Sequence, residues 1–157
     1  MRRDVHDAKD RGASSGVVVV CDACGRKNRV PSSRLADTGR CGACRSPLPP
    51  RSEPIDVGPA EFDEIIRNSR VPVLVDFWAA WCAPCRMAAP EVAKTAREMA
   101  GRAIVLKVNT EEHPDVAARF GVQGIPNFLV LKSGLLLRQQ AGMVRSATMS
   151  AWLAAAG

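Results

Sequence analysis

The amino-acid sequence predicts an α/β fold in which a central mixed sheet is flanked by helices, with a small cysteine-rich unit in front of it. Three observations predict this. Strand-like and helix-like patterns alternate from residue 55 to residue 157, a proline-rich stretch precedes that region, and four of the six cysteines fall within residues 17–46. A chain of 157 residues holds one well-packed domain and an appendage rather than two ordinary domains. The expected division is a disordered tail over 1–16, a knuckle over 17–46, a Pro-rich linker over 47–54 and the main domain over 55–157.

Each element has its own signal. A helix is expected from about Pro59 to Asn68, then a strand over about Val71 to Trp78, whose near-continuous apolar run suits burial on both faces. A long helix follows from about Cys82 to Ala100, kinked at Pro90 because proline lacks an N–H and crowds the preceding turn. Gly101 marks its end, and a second buried strand runs over about Ala103 to Val108. A short helix from about Pro114 to Phe120 leads to two strands, Asn127 to Lys132 and Leu135 to Ala141, joined by the tight-turn pair Ser133-Gly134. The last helix is expected from about Ser146 to Ala155. The linker is expected to be extended, since Ser46 to Pro54 holds four prolines in nine residues.

Composition narrows the function class. The chain is 46% hydrophobic and 24% charged, as in a globular protein, and no apolar run approaches the roughly 18 residues that cross a bilayer. Residues 1–16 mix Arg2, Arg3, Lys9 and Arg11 with Asp4, Asp7 and Asp10 and hold no apolar stretch of signal-peptide length. A cytoplasmic, reducing location is therefore expected, where paired cysteines serve as metal ligands or redox catalysts more often than as structural bridges. The net charge is +6, of which residues 1–50 carry +5. Four metal-bound thiolates would lower the total to about +4, so the basic balance is a weak argument for nucleic acid.

The chemistry centres on Trp81-Cys82-Ala83-Pro84-Cys85, between the end of a buried strand and the start of a helix. A cysteine in the first turn of a helix meets unpaired N–H groups and the positive end of the helix dipole, which favour the thiolate. Cys82 is accordingly read as the nucleophile and Cys85, one turn further on, as the thiol that resolves a mixed disulfide. The alternative is half of a metal site, for which His113 is the only nearby ligand candidate in this domain. Asp76, at the end of the buried strand, is expected to have its pKa raised by burial and to exchange a proton with Cys85; the alternative is a partly exposed strand-end carboxylate. Trp81 supplies a flat apolar contact beside Cys82, whereas Trp78 fits packing equally well.

From Val75-Asp76-Phe77-Trp78-Ala79 and Trp81-Cys82-Ala83-Pro84-Cys85, through Lys107-Val108-Asn109 and Gly124-Ile125-Pro126, to Gly142, the chain resembles the thioredoxin family over residues 55 to 157. The resemblance implies the thioredoxin fold and a disulfide reductase recharged by a flavin- and NADPH-dependent thioredoxin reductase, with disulfide-containing proteins as clients. It implies a proton-exchanging role for Asp76, a modulating charge at Lys107, and a cis bond before Pro126. Such a turn, facing the cysteine pair, would leave the Ile125 backbone free to pair with an extended substrate segment. Pro84 stands as in reducing members. Ala83 replaces the usual glycine, which leaves the redox poise open, and Asn127 stands where threonine often follows the proline.

The front unit carries Cys21-Asp22-Ala23-Cys24 and Cys41-Gly42-Ala43-Cys44, with sixteen residues between the pairs. That spacing matches a zinc-ribbon-like site in which four thiolates close a tetrahedron around one structural Zn²⁺. Two disulfides are the alternative, which a reducing compartment disfavours. Joined to the domain behind it, the unit resembles the zinc-finger thioredoxins of the bacterial thioredoxin 2 type. The leading reading is a monomeric protein-disulfide reductase. A zinc-controlled redox sensor or chaperone, and a disulfide oxidase or isomerase, are the alternatives. Nucleic-acid binding through Arg26, Lys27, Arg29 and Arg34 lacks interleaved aromatics.

Overall fold

The computed structural model describes residues 16–157; residues 1–15, and with them almost all of the expected disordered tail, lie outside the described residues. Two short hairpins come first. Strand β1 (Val17–Val20) pairs antiparallel with β2 (Lys27–Val30), and β3 (Gly39–Arg40) with β4 (Pro47–Leu48). A 3₁₀ turn at Ser32–Arg34 joins the pairs. Strand β4 lies in the stretch expected to be a plain connector. Pro47 is compatible with the ladder because it is the first residue of its strand.

The main sheet contains β5 (Ile55–Asp56), β6 (Val73–Trp78), β7 (Ile104–Asn109), β8 (Asn127–Lys132) and β9 (Leu135–Ala141), in the order β5-β7-β6-β8-β9. Strands β5, β7 and β6 run parallel, while β8 and β9 are antiparallel to their neighbours. The mixed sheet follows from the connections. Helix α2 (Ala83–Glu98) returns the chain so that β7 can lie parallel to β6, whereas Ser133-Gly134 reverses it directly. Both turn residues have positive φ, 52° and 80°, as a two-residue hairpin requires.

Alternation along β6 divides the core. Val73, Val75 and Phe77 face Phe62, Ile65 and Ile66 of α1 (Pro59–Asn68) and Val116 of α3 (Pro114–Arg119). Leu74, on the other face, meets Ala88, Val92 and Ala96 of α2 and Met149 and Leu153 of α4 (Ser146–Ala156). Asp76 shares the parity of Leu74 and so lies on the face that α2 covers. Pro90 sits inside α2, leaving the Arg86 carbonyl without its in-helix donor. The helix ends at Met99, and Gly101 takes a φ of 86°.

The front unit is not a loose appendage. Val17 and Leu35 are buried in the same core as Ile55, Phe62 and Ile65, with Val30 and Ala36 packed at its margin. The Arg51 N–H donates to the Leu35 carbonyl at 2.8 Å, fixing the connector against the unit.

Candidate functional site

Strand β6 delivers the chain to a tight turn, where the Cys82 N–H donates to the Ala79 carbonyl at 3.1 Å. Cys82 then caps α2 from an extended conformation, and the Cys85 N–H donates to its Sγ at 3.2 Å. This is the first-turn arrangement expected to stabilise a thiolate at residue 82. Pro84 fits the first turn because its missing N–H has no helical acceptor to lose. Cys82 and Cys85 are joined as a disulfide, with Cα atoms 5.2 Å apart. Both residues are 3% exposed, and they differ in position, Cys82 at the helix cap and Cys85 inside the first turn.

The opposite wall is the loop before β8. The Ile125–Pro126 bond is cis, and the Ile125 carbonyl oxygen lies 3.7 Å from Cys82 Sγ. Three bonds hold this loop. The Gly142 N–H donates to the Pro126 carbonyl at 2.8 Å, Asn127 Nδ2 to the Gly124 carbonyl at 3.2 Å, and Gln139 Nε2 to Asn127 Oδ1 at 3.2 Å. Gly142 adopts a φ of 93°, a conformation open to glycine. Around the pair, Trp81 is 66% exposed, Ala83 and Pro84 are exposed, and Ile125 is half-buried, while Pro126 is buried.

Behind the cysteines, Asp76 is 1% exposed, and its Oδ1 has no hydrogen-bond partner. Burial pushes its pKa up to about 7; the charge of Lys107 opposes this and that of Asp56 adds to it. Lys107 is the register partner of Asp76 on one side and of Asp56 on the other, so a cation lies on the strand between two carboxylates. Its Nζ stands 4.7 Å from the Trp78 ring centroid, a cation–π contact that gives Trp78 a role besides packing. Asp56 escaped the sequence reading because a two-residue strand carries no periodicity. Gln139 escaped it too, because only the tertiary fold brings it to Asn127, the residue already noted after the proline.

The four front cysteines converge. Their Sγ atoms all lie within 4.8 Å of one another, with Cys21 to Cys44 and Cys24 to Cys41 both at 3.6 Å. Tetrahedral thiolates at about 2.3 Å from a zinc ion would stand about 3.8 Å apart, so the residues fit the ion. Asn28 Nδ2 and the Ala43 N–H both point at Cys41 Sγ, at 3.5 and 3.3 Å, and Asn28 Oδ1 accepts from the Gly42 N–H at 2.9 Å. Backbone N–H groups of residues 44 and 43 pull the Cys41 thiol down to about 6. At Cys24 the pull of the Arg26 backbone is outweighed by the neighbouring thiol of Cys44, by burial and by Cys41 and Cys21, which push it up to about 11. Four crowded sulfurs do not ionise together without a cation, which is the chemistry of a metal-binding set.

A dithiol that cycles through a disulfide, set at a helix start and facing a cis-proline loop, is the site of a thiol-disulfide oxidoreductase. The thioredoxin family model matches residues 53–155, and the model described as Thioredoxin 2, N-terminal matches residues 20–46. Thioredoxin C-3 of Corynebacterium nephridii is 37% identical over 137 residues, covering 87% of this chain and 93% of that protein. Thioredoxin 1 of Chlorobaculum tepidum is 51% identical over 83 residues, 53% of this chain and 82% of that one. A solved mutant thioredoxin from Halobacterium salinarum NRC-1 superposes with a TM-score of 0.63 at 28% identity, covering 68% of this chain and 92% of its own. The chain belongs to the thioredoxin family and is a protein-disulfide reductase. Among the described residues no helix is long and apolar enough to cross a membrane.

Proposed function

We propose that Cys82 is the attacking thiolate and Cys85 the resolving thiol of this reductase. The observation that carries the reading is the cap geometry: the Cys85 N–H donates to Cys82 Sγ at 3.2 Å, which favours negative charge on that sulfur. The Cys82 thiolate attacks one sulfur of a client disulfide, a mixed disulfide forms, and the other client sulfur leaves as a thiolate that takes a proton from water. Cys85 then gives its proton to the Asp76 carboxylate and attacks Cys82 Sγ, closing the Cys82–Cys85 bond and expelling the second client thiolate. Two electrons pass to the client. Asp76, with a pKa of about 7, is placed to hold or release that proton near neutral pH, and Lys107 biases it by charge. Trp81 and Pro84 form the apolar rim against the client, while the cis bond before Pro126 turns the Ile125 backbone toward an extended client segment.

The disulfide is returned to the dithiol by a flavin- and NADPH-dependent thioredoxin reductase, and the cytoplasm is the compartment in which the protein works. In the front unit Cys21, Cys24, Cys41 and Cys44 hold one Zn²⁺. The ion supplies charge neutralisation and a cross-link, with no open coordination position for substrate. We take residues 17–46 and 55–157 as the two functional units, the second docked on the first through Leu35.

The test is insulin disulfide reduction with NADPH and a bacterial thioredoxin reductase, alongside zinc analysis. The Cys82→Ser variant is expected to lose turnover. The Cys21→Ser/Cys24→Ser variant is expected to keep turnover while losing about one zinc per chain. Turnover persisting in Cys82→Ser would overturn the assignment. The exposure of Cys24 and Cys44 favours a second reading, an oxidant sensor. Zinc release by low peroxide with a matching gain of client binding in Cys82→Ser would support that role.

A further inference from the structure

Beyond the redox pair and the four cysteines, the front unit holds a cavity of about 260 Å³ between β2, the 3₁₀ turn, β3 and the segment after β4. Arg29, Arg34, Arg40 and Arg51 line it, with Asp37 as the single carboxylate among the described residues of its wall. The floor is apolar, formed by Val19, Val30, Leu35 and Leu48. We propose that this cavity is a binding site for a compact phosphate-bearing anion, a diphosphate or a small organic phosphate.

Three of these charges, on Arg34, Arg40 and Arg51, are weakly matched among the described residues. Arg34 meets Asp37 at 3.9 Å, but the two side chains are 60% and 44% exposed, and such pairs contribute little. The Arg40 guanidinium donates to the Arg45 carbonyl at 3.2 Å, a neutral acceptor that leaves its charge uncompensated. Arg51 is the anchor. Its backbone is fixed to Leu35, yet its Nε is closed off from solvent and has no acceptor. A buried donor without a partner is costly, so turning the Arg51 side chain toward an oxyanion in the cavity would relieve that cost.

Guanidinium forks match the oxygen geometry of phosphate, and several forks against one acid favour a multiply charged ion over a lone carboxylate. The volume lies below the range of ordinary drug-sized ligand pockets, roughly 300–1,000 Å³, which selects a compact occupant. No aromatic side chain lines the cavity, so it lacks the stacking platform that holds successive bases of a single strand. The site also touches the metal centre. Asn28 and Gly42 are part of its wall, and Asn28 donates to Cys41 Sγ.

The experiment titrates the zinc-loaded full chain with inorganic pyrophosphate and with adenosine diphosphate, by calorimetry and by amide NMR shifts. Saturable binding is expected, with shifts at Asn28, Gly42 and Arg51. Equal affinity for the two probes identifies the free diphosphate as the class of occupant, and tighter binding of the nucleotide identifies the organic phosphate. Arg51→Gln is expected to weaken binding about ten-fold, corresponding to 1.4 kcal/mol. Arg34→Gln, a change at an exposed side chain that leaves packing intact, is expected to weaken it several-fold. Arg138→Gln, on β9, should bind as the parent does, and all three variants should reduce insulin normally. Absence of saturable binding at millimolar probe, parent-like binding in both Arg34→Gln and Arg51→Gln, or equal loss in Arg138→Gln would overturn the proposal.

Discussion

At the scale of one residue, the burial that is proposed to fit Asp76 for proton exchange also makes it costly. The folded chain keeps its proton up to about pH 7, whereas the ordinary value is 3.8. Between these values the folded state binds more protons than the unfolded one, so stability falls as pH rises through that window and levels off above it. Asp76→Asn removes the ionisation. Its stability relative to the parent is expected to rise by about 2–4 kcal/mol between pH 4 and pH 8. Urea unfolding at the two pH values checks this, and parallel pH dependences in the two proteins would refute it. The same variant should slow the resolving step above pH 7, where the parent carboxylate is ionised, as read from insulin reduction across pH. The position of Asp76 was legible in the sequence because it closes an apolar run that has to be a buried strand. Asp56 was not, since nothing local marks a residue whose neighbour across the ladder is fifty-one positions away in the chain.

At the scale of elements, the helices behind the site hold one another. Helix α4 has no side-chain cap of its own, and Glu91 of α2 supplies one, its Oε1 accepting the Ser146 N–H at 2.7 Å. The Thr95 and Ser146 hydroxyls lie 3.0 Å apart, and the Ser146 hydroxyl donates to Glu98 Oε1 at 3.2 Å. Glu91→Ala is expected to cost about 1–2 kcal/mol, the range for a lost helix cap. An unchanged urea midpoint would contradict this. No sequence signal marks the cap, because donor and acceptor are fifty-five residues apart. Elements with strong local signals were legible: β8 and β9 have the bounds that the Ser133-Gly134 turn implies, and α1 the bounds set by Pro59 and Asn68. The two-residue strands β4 and β5 were not, since their pairing comes entirely from partners elsewhere.

At the scale of the whole molecule, the four-cysteine unit and the redox domain share a core through Val17 and Leu35, so stability of one is linked to the other. Removing the metal with a chelator should unfold the knuckle and expose that contact. Thermal unfolding is expected to show a lower Tm in the chelated chain, with insulin reduction retained below the transition. An unchanged Tm would mean that the knuckle contributes nothing to the domain behind it. The cysteine spacing made the convergence of the four thiols legible, but not the docking, because Val17 and Leu35 have no sequence context that distinguishes them from surface residues of a small unit. For the molecule as a whole we propose that client reduction starts at one sulfur, that of Cys82. The most direct test of that claim is to mix reduced Cys85→Ser with a disulfide-bearing client and map the product by mass spectrometry. A stable mixed disulfide at Cys82 is the predicted result, and an adduct on another cysteine, or none, would contradict it.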